Sequence, residues 1–273
     1  MSQNFALFGN PVSHSKSPYL HQNFAQQFDL AIDYRKLLST PENFKADVRD
    51  FFSTGGDGCN VTVPFKEDAF ALCDILSPMA ARARAVNTLY LNAEKKLCGH
   101  NTDGIGLVND LLNNHKTDIA NRHVLIIGAG GATRGILGPV IAHNPASVTV
   151  ANRTYAKAQQ LAAEFADLFQ VHTCSTSTID TPDKPDIIIN ATSASLSAEL
   201  PVTDALLITD CTVCYDLAYA NEPTAFMQWA SSHGCAKSLD GKGMLIEQAA
   251  AAFTTWTKLT PTTAPLILEF ASA

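Results

Sequence analysis

The sequence predicts an α/β protein of two domains, the second a Rossmann-like doubly wound parallel sheet. Three observations carry that expectation. The length, 273 residues, lies nearer two domains than one and is enough to bury a sizeable core. Short apolar runs alternate with stretches of helical spacing, the pattern of strands connected by crossover helices. At residues 123–137, HVLIIGAGGATRGIL, an apolar run drops through glycines into a helix-forming stretch, the strand–turn–helix context of a dinucleotide-phosphate site.

Val124, Leu125, Ile126 and Ile127 read as a strand covered on both faces, since their apolar character is continuous rather than alternating. Gly128, Gly130 and Gly131 follow at once. Lacking a Cβ, they allow a tight turn whose backbone can approach a pyrophosphate facing the N–H groups of the next helix. The match to GxGxxG is incomplete, because the third glycine falls at Thr133 and the next is Gly135. A second strand at residues 147–151 ends in Asn152, Arg153 and Thr154, with Lys157 one turn later and no acid from 152 to 160. An NAD site usually places Asp or Glu at that strand end, whereas a cation suits a 2′-phosphate. The expected cofactor is NADP.

A net charge of -7 with a pI near 5.5 argues against a nucleic-acid or anionic-membrane surface. The expected partner is a small molecule, held by local cations and N–H groups. The N-terminus has neither a basic start nor a long apolar core, and no run of about 18 apolar residues occurs; a cytoplasmic protein is expected. Seven cysteines, an odd and scattered set, fit reduced thiols. Cys211 and Cys214 form a C-x-x-C, but without a second pair or clustered histidines no metal is expected.

Along the first half, residues 5–8 read as a strand, followed by a turn at 9–11 and the run SHSKSP at 13–18. Ser17 suits an N-cap, Pro18 a first helical position, and Leu20, Phe24 and Phe28 recur on one face. Capping does not account for three serines and a lysine together, which also make a ready carboxylate pocket. Residues 33–38 read as a strand, 41–52 as a helix and 59–63 as a strand. A helix at 67–76 then leaves Lys66 at its N-terminus, where a cation is mildly disfavoured. Strands are expected at 85–91 and 96–98, and a helix at 105–113 after Asp103, which is either its N-cap or a partner for Lys66.

In the second half a helix at 155–166, a strand near 170–172 and a strand at 186–190 continue the doubly wound pattern. The strand at 186–190 brings residues 190–193 to the carboxyl edge where ligands gather. The last strand signals lie at 206–215, followed by a helix at 224–232. A final helix at 244–258 aligns Leu245, Ala249, Ala252, Phe253 and Trp256, with Gln248 at the edge of that face.

The blocks SHSKSP at 13–18, NVTVPFK at 60–66, AVNT at 85–88, NTDG at 101–104, GAGGA at 128–132, NRT at 152–154, NAT at 190–192 and DGKGMLIEQA at 240–249 resemble the shikimate dehydrogenase family. The resemblance runs nearly end to end in the family's order and spacing. It implies an NADP-dependent, reversible reduction of 3-dehydroshikimate to shikimate, in aromatic amino-acid biosynthesis, by a monomer or homodimer. Lys66 and Asp103 would be the catalytic pair. Ser15, Ser17, Thr62, Asn87, Tyr219 and Gln248 would hold the substrate's hydroxyls and carboxylate. Ala129, Ala132, Leu217 and Gly241 would join Gly128, Gly130, Gly131, Asn152, Arg153, Thr154 and Lys157 around NADP. The resemblance also implies an N-terminal α/β substrate domain of residues 1–103, completed by C-terminal helices at 243–273, and a NADP domain at 104–242.

Departures from the family pattern concern cofactor contacts. Ala194-Ser195 stands where a glycine is often found, and Leu217 replaces the usual methionine. Relatives that also use quinate commonly have an acid near NRT and lack the phenylalanine before the lysine. This chain keeps Phe65 and has no such acid, which favours shikimate over quinate or another cyclic polyol. A catalytically idle NADP-binding regulator would be expected to lose Lys66, Asp103 or the serine cluster, and all are present.

Overall fold

The computed structural model describes residues 2–197, 199–201 and 207–271. The chain forms two compact units. One runs to Gly106 and takes in Ile246–Leu268; the other holds Leu107–Leu245 and residues from Glu269 onward.

The first unit contains β1 (Gln3–Gly9), α1 (Ser17–Gln26), β2 (Ile32–Leu38), α2 (Phe44–Ser53), β3 (Gly58–Val61), α3 (Lys66–Leu72), β4 (Ile75–Leu76), α4 (Pro78–Ala83), β5 (Thr88–Leu91) and β6 (Leu97–His100). Its sheet has the order β2-β1-β3-β5-β6-β4. β1 runs parallel to β2 and β3, while β5 runs antiparallel to both β3 and β6. The tight return from β5 to β6 is built by Asn92, whose side-chain oxygen accepts the N–H groups of Glu94 and Lys96 at 3.0 and 2.9 Å. Such a side-chain turn is what asparagine does readily.

Side chains alternate across β1, so its two faces enter different packing. Phe8 meets Phe44 and Phe51 edge-on, and Phe44 stacks on Phe65 at 4.6 Å. Phe5 stacks on Trp256 at 4.7 Å, in a cluster that also brings Phe24 of α1 to Phe253. Truncating Phe8, fully buried between two rings, would cost about 3 to 5 kcal/mol.

α5 (Asp103–Asn109) leads into a π-helical turn at Asp110–Asn114, where a single α-helix at 105–113 was expected. The second unit continues with β7 (His123–Ile127), α6 (Gly131–Ala142), β8 (Ser147–Ala151), α7 (Tyr155–Glu164), β9 (His172–Cys174), β10 (Ile187–Asn190), β11 (Val213–Asp216), α8 (Ala225–Ser232) and β12 (Lys237–Leu239). α9 (Lys242–Thr257) and α10 (Ala264–Ala271) close the chain. The second sheet is parallel throughout, in the order β12-β11-β10-β7-β8-β9. The chain winds outward from β7, returns and winds out the other way, so its switch point lies between β7 and β10. Val124 and Ile126 enter one buried cluster with Ile136 and Val140, while Leu125 and Ile127 enter another with Phe226 and Trp229. A strand covered on both faces explains the unbroken apolar run.

Several elements differ from the sequence reading. The helix expected at 67–76 ends at Leu72, and Ile75–Leu76 pairs with β6 instead. Gly99 permits this, since a Cβ there would lie 2.4 Å from the Cys73 sulfur. α4 and β12 lie outside the elements expected from the sequence, although Ser77 caps α4 by accepting the Ala80 N–H and Pro78 occupies its first turn. The last strand signals were read at 206–215; Leu206 lies outside the described residues, and the strand is Val213–Asp216.

Candidate active site

β3 and β6 both run antiparallel to β5, which lies between them. Their carboxyl ends therefore fall on one edge of the first sheet, together with the start of β5. Lys66 opens α3 five residues after the end of β3, Asp103 opens α5 three residues after the end of β6, and Asn87 immediately precedes β5. The three side chains meet there. Lys66 Nζ donates to Asp103 Oδ2 at 2.6 Å, and Asn87 Nδ2 donates to Asp103 Oδ1 at 2.8 Å.

Neither end of this arrangement is left loose. Asn87 Oδ1 accepts the Thr102 N–H at 3.0 Å and the Thr88 hydroxyl at 2.8 Å. Asn101 Oδ1 accepts the Asp103 N–H at 3.1 Å, so Asn101, rather than Asp103, serves the backbone at this helix start. Gln248 of α9 lies at the margin, its Oε1 3.4 Å from the Thr102 hydroxyl and 3.5 Å from Asn87 Nδ2. The Lys66 side chain is 32 % exposed and that of Asp103 13 %. An ammonium has three donor hydrogens; with one given to Asp103, two remain for an incoming oxygen.

β1 is parallel to β3, so the loop carrying the serines leaves the sheet at the same edge. Ser17 does not cap α1: the cap position is Lys16, without a side-chain bond, and Ser17 is the first helical residue. Its hydroxyl is buried and accepts from Ser15 Oγ at 3.1 Å, while Ser15 Oγ accepts the Ser17 N–H at 3.2 Å. Phe28 lies past the end of α1 and stacks on Phe253. Thr62 donates its N–H to Phe8 O at 2.9 Å, and its methyl lies where a Cβ on Gly9 would be.

Sequence reasoning passed over Asn60, the one amide in the buried strand GCNV. It accepts from the Tyr34 hydroxyl at 2.7 Å and donates to Asn87 O at 3.1 Å. His21 was also missed. It is fully buried, stacks on Tyr34 at 4.6 Å, and has no hydrogen-bond partner for either ring nitrogen among the described residues. Burial pushes its pKa down to about 3, with nearby Asn60 acting the other way. Burial likewise raises the Tyr34 phenol, against the Ser17 hydroxyl.

In the second unit the glycine turn sits at the carboxyl end of β7. Gly128 has φ +107°, a conformation that L side chains rarely adopt, and Thr192 and Ala191 crowd its missing Cβ. Thr133, in the place of the third glycine, is buried and donates its hydroxyl to Gly128 O at 2.8 Å. Gly130 and Gly131 are open: a Cβ at either would meet nothing within 4 Å. Ala132 is exposed beside them, and the first turn of α6 carries no acid. Asn152 accepts the Ala129 N–H at 3.1 Å and donates to Thr154 O at 2.8 Å, bracing the turn from β8. Arg153, Thr154 and Lys157 are exposed at the start of α7, and the two cations make no ion pair among the described residues. Open glycines over a helix N-terminus, followed by unpaired cations at the next strand end, fit a dinucleotide bearing a 2′-phosphate.

Leu217 and Gly241 touch, since a Cβ on Gly241 would stand 2.2 Å from Leu217 O. Tyr219 is 40 % exposed and belongs to the second unit, apart in sequence and unit from the Lys66 cluster; burial of its phenol raises its pKa. Cys214 is buried in β11 and Cys211 is exposed before it, both as free thiols. Among the described residues no helix is long and apolar enough to cross a membrane.

A doubly wound sheet with this glycine turn, joined in one chain to a unit carrying a lysine–aspartate pair, defines an α/β oxidoreductase that works with a nicotinamide dinucleotide. Residues 7–89 match the family model described as shikimate dehydrogenase substrate binding domain, and residues 110–204 match that described as shikimate / quinate 5-dehydrogenase. The chain belongs to the shikimate dehydrogenase family. It is 48 % identical to the shikimate dehydrogenase (NADP(+)) of Aeromonas salmonicida, over 97 % of this chain and 96 % of that one. Among solved structures it resembles an Ael1 enzyme from Pseudomonas putida, at 38 % identity and TM-score 0.92 over 98 % of both chains. It also resembles the shikimate 5-dehydrogenase of Thermus thermophilus in complex with NADP(H) and shikimate, at 29 % identity and TM-score 0.86 over 99 % of both.

Proposed function

We propose that the chain interconverts 3-dehydroshikimate and shikimate with NADP(H), the first unit binding substrate and the second the cofactor. The observation that carries this is the Lys66–Asp103 pair, held by Asn87 at the sheet edge where the serine loop also emerges. When bound, NADPH supplies a hydride to the ketone carbon. The ketone oxygen then needs one proton, and Lys66 is the donor: both Asp103 oxygens are engaged, Oδ2 by Lys66 and Oδ1 by Asn87. Asp103 orients the ammonium through the 2.6 Å bond from Lys66 Nζ. In the oxidising direction Lys66, as the free amine, takes the hydroxyl proton back, as general acid–base exchange requires.

Ser15 and Ser17 are assigned to the substrate carboxylate, which hydroxyl donors can satisfy. Thr62, Asn87 and Gln248 are assigned to ring hydroxyls, and Tyr219 of the second unit to the substrate as well. Gly128 through Ala132 would receive the pyrophosphate, with Leu217 and Gly241 beside the dinucleotide. Asn152 would hold the turn, while Arg153, Thr154 and Lys157 take the 2′-phosphate. The reading includes a cytoplasmic enzyme acting as a monomer or homodimer.

Shikimate and NADP are mixed with the protein and reduced-nicotinamide absorbance is followed, with quinate and NAD in parallel. Absorbance should rise with shikimate and NADP and far more slowly in each control. A faster rate with quinate would assign the enzyme to that substrate, and no rate with any pair would refute the proposal.

A further inference from the structure

Asp216 is fully buried at the end of β11, paired in register with Asn190 at the end of β10. Its carboxylate faces four neutral donors. Oδ1 accepts Asn190 Nδ2 and the Ala218 N–H, each at 3.1 Å, and Oδ2 accepts the Ser195 hydroxyl at 2.5 Å and the Thr224 hydroxyl at 2.6 Å. No cation shares the site among the described residues. A buried carboxylate is retained only where such donors replace its hydration, and here they come from three segments that the sheet alone would leave independent. One is the loop after β10, which Asn190 also grips by accepting the Thr192 N–H at 3.1 Å and hydroxyl at 2.7 Å. Another is the loop after β11, whose Leu217 and Ala218 pack on Gly241. The third is the α8 start, where Thr224 also accepts the Met227 N–H.

These loops stand on the β10–β11 side of the switch point, with Thr192 3.1 Å from the position of a Cβ on Gly128. Arg153 and Lys157 stand on the β8 side. A dinucleotide whose pyrophosphate lies over Gly130 and whose 2′-phosphate reaches Arg153 must send its other half, the nicotinamide half, toward β10 and β11. We propose that Asp216 is a positioning residue for the nicotinamide half of the cofactor, and that Ser195 is the donor through which it holds the 192–195 loop. Ser195 thereby gains a role at a position where a glycine is often found. The inference rests on the reading of the second unit as the NADP site.

NADP and NAD dissociation constants are measured by fluorescence titration without substrate, for the parent, S195A, S195T and D216N, with thermal melts alongside. S195A should weaken both cofactors by a similar factor, about 10- to 100-fold for one lost bond to a charged acceptor, leaving the NADP-to-NAD preference unchanged. S195T, which restores the hydroxyl, should bring affinity back to within about threefold of the parent, and D216N should weaken both cofactors at least as far as S195A. Should D216N fail to fold, the alanine and threonine pair decides the matter, since Ser195 lies outside the core strands. S195A binding both cofactors like the parent would overturn the inference even if its melting point fell. A parent protein that bound no NADP would overturn the functional reading, and this inference with it.

Discussion

Replacing His21 by phenylalanine should remove an acid sensitivity built into the first unit. In the folded protein burial holds this imidazole near pKa 3, against an ordinary value of 6.5. Below pH 6.5 the unfolded chain takes up a proton that the folded chain does not, so stability falls as pH falls, down to the folded pKa. Each unit of pH in that window costs about 1.4 kcal/mol. At pH 4.5, two units below the unfolded pKa, the loss is about 2.7 kcal/mol; at pH 7.5 it is close to zero. Phenylalanine keeps a ring for Tyr34 to stack on and carries no buried nitrogens to leave unpartnered. At pH 7.5 the variant should lie within about 1 kcal/mol of the parent, since an aromatic swap of similar volume is well tolerated. By pH 4.5 it should be ahead by a further 2 to 3 kcal/mol, roughly. Urea unfolding reports this cleanly in a W229F background, where Trp256, stacked on Phe5 in the first unit, is the only indole left. Carboxylates titrate alike in both proteins and cancel in the difference. Parent and variant losing stability in parallel between pH 7.5 and 4.5 would refute the reasoning.

Lys66→Ala should lower turnover by about 10²- to 10⁴-fold with NADP affinity nearly unchanged; retained turnover with lost shikimate affinity would make Lys66 a binding residue. The S15A/S17A double variant should weaken shikimate binding far more than NADP binding, each lost bond to the carboxylate being worth about 1.5 to 3 kcal/mol. A lower melting point with normal shikimate binding would assign both hydroxyls to structure. Replacing Arg153 and Lys157 by glutamine should raise the NADP constant about 10- to 100-fold and leave that for NAD in place. In the parent, added salt should weaken NADP more than NAD, and equal loss of both cofactors in the variant would show that these cations do not read the 2′-phosphate.

What could be read in advance was local. The run before Gly128 is apolar at every position because helices cover both faces of β7, and the glycines follow from the turn that β7 must make into α6. The cations after β8 are visible because a strand end and the next helix start are only a few residues apart. What needed the fold was anything decided across the sheet. Lys66 and Asp103 are 37 residues apart, and only the antiparallel placement of β5 between β3 and β6 brings their ends to one edge. From sequence alone, resemblance supplied that pairing. The helix expected at 67–76 failed for a similar reason: its spacing is helical, but a glycine in β6 offers Leu76 a strand partner that no local pattern reveals. Ser17 has the chemistry of a cap and the position of one, yet the helix begins one residue early and its hydroxyl turns inward. Asn60 and His21 were passed over because a polar residue in a buried run gives no local sign of what it faces.

The return of α9 to the first unit sets an order of events during synthesis. Trp256 stacks on Phe5, fills the space beside Gly58, where a Cβ would lie 2.5 Å from its indole nitrogen, and donates to Leu89 O at 3.1 Å. The first sheet thus waits, its Phe5 face uncovered, while the ribosome makes residues 107–245 of the second unit. Residues 107–245, the greater part of the second unit, emerge before Trp256 does, whereas the earliest-made strands wait for it. A nascent chain stalled before residue 256 would expose that apolar face to chaperones and proteases, with the glycine turn already in place and the lysine–aspartate edge still unsupported.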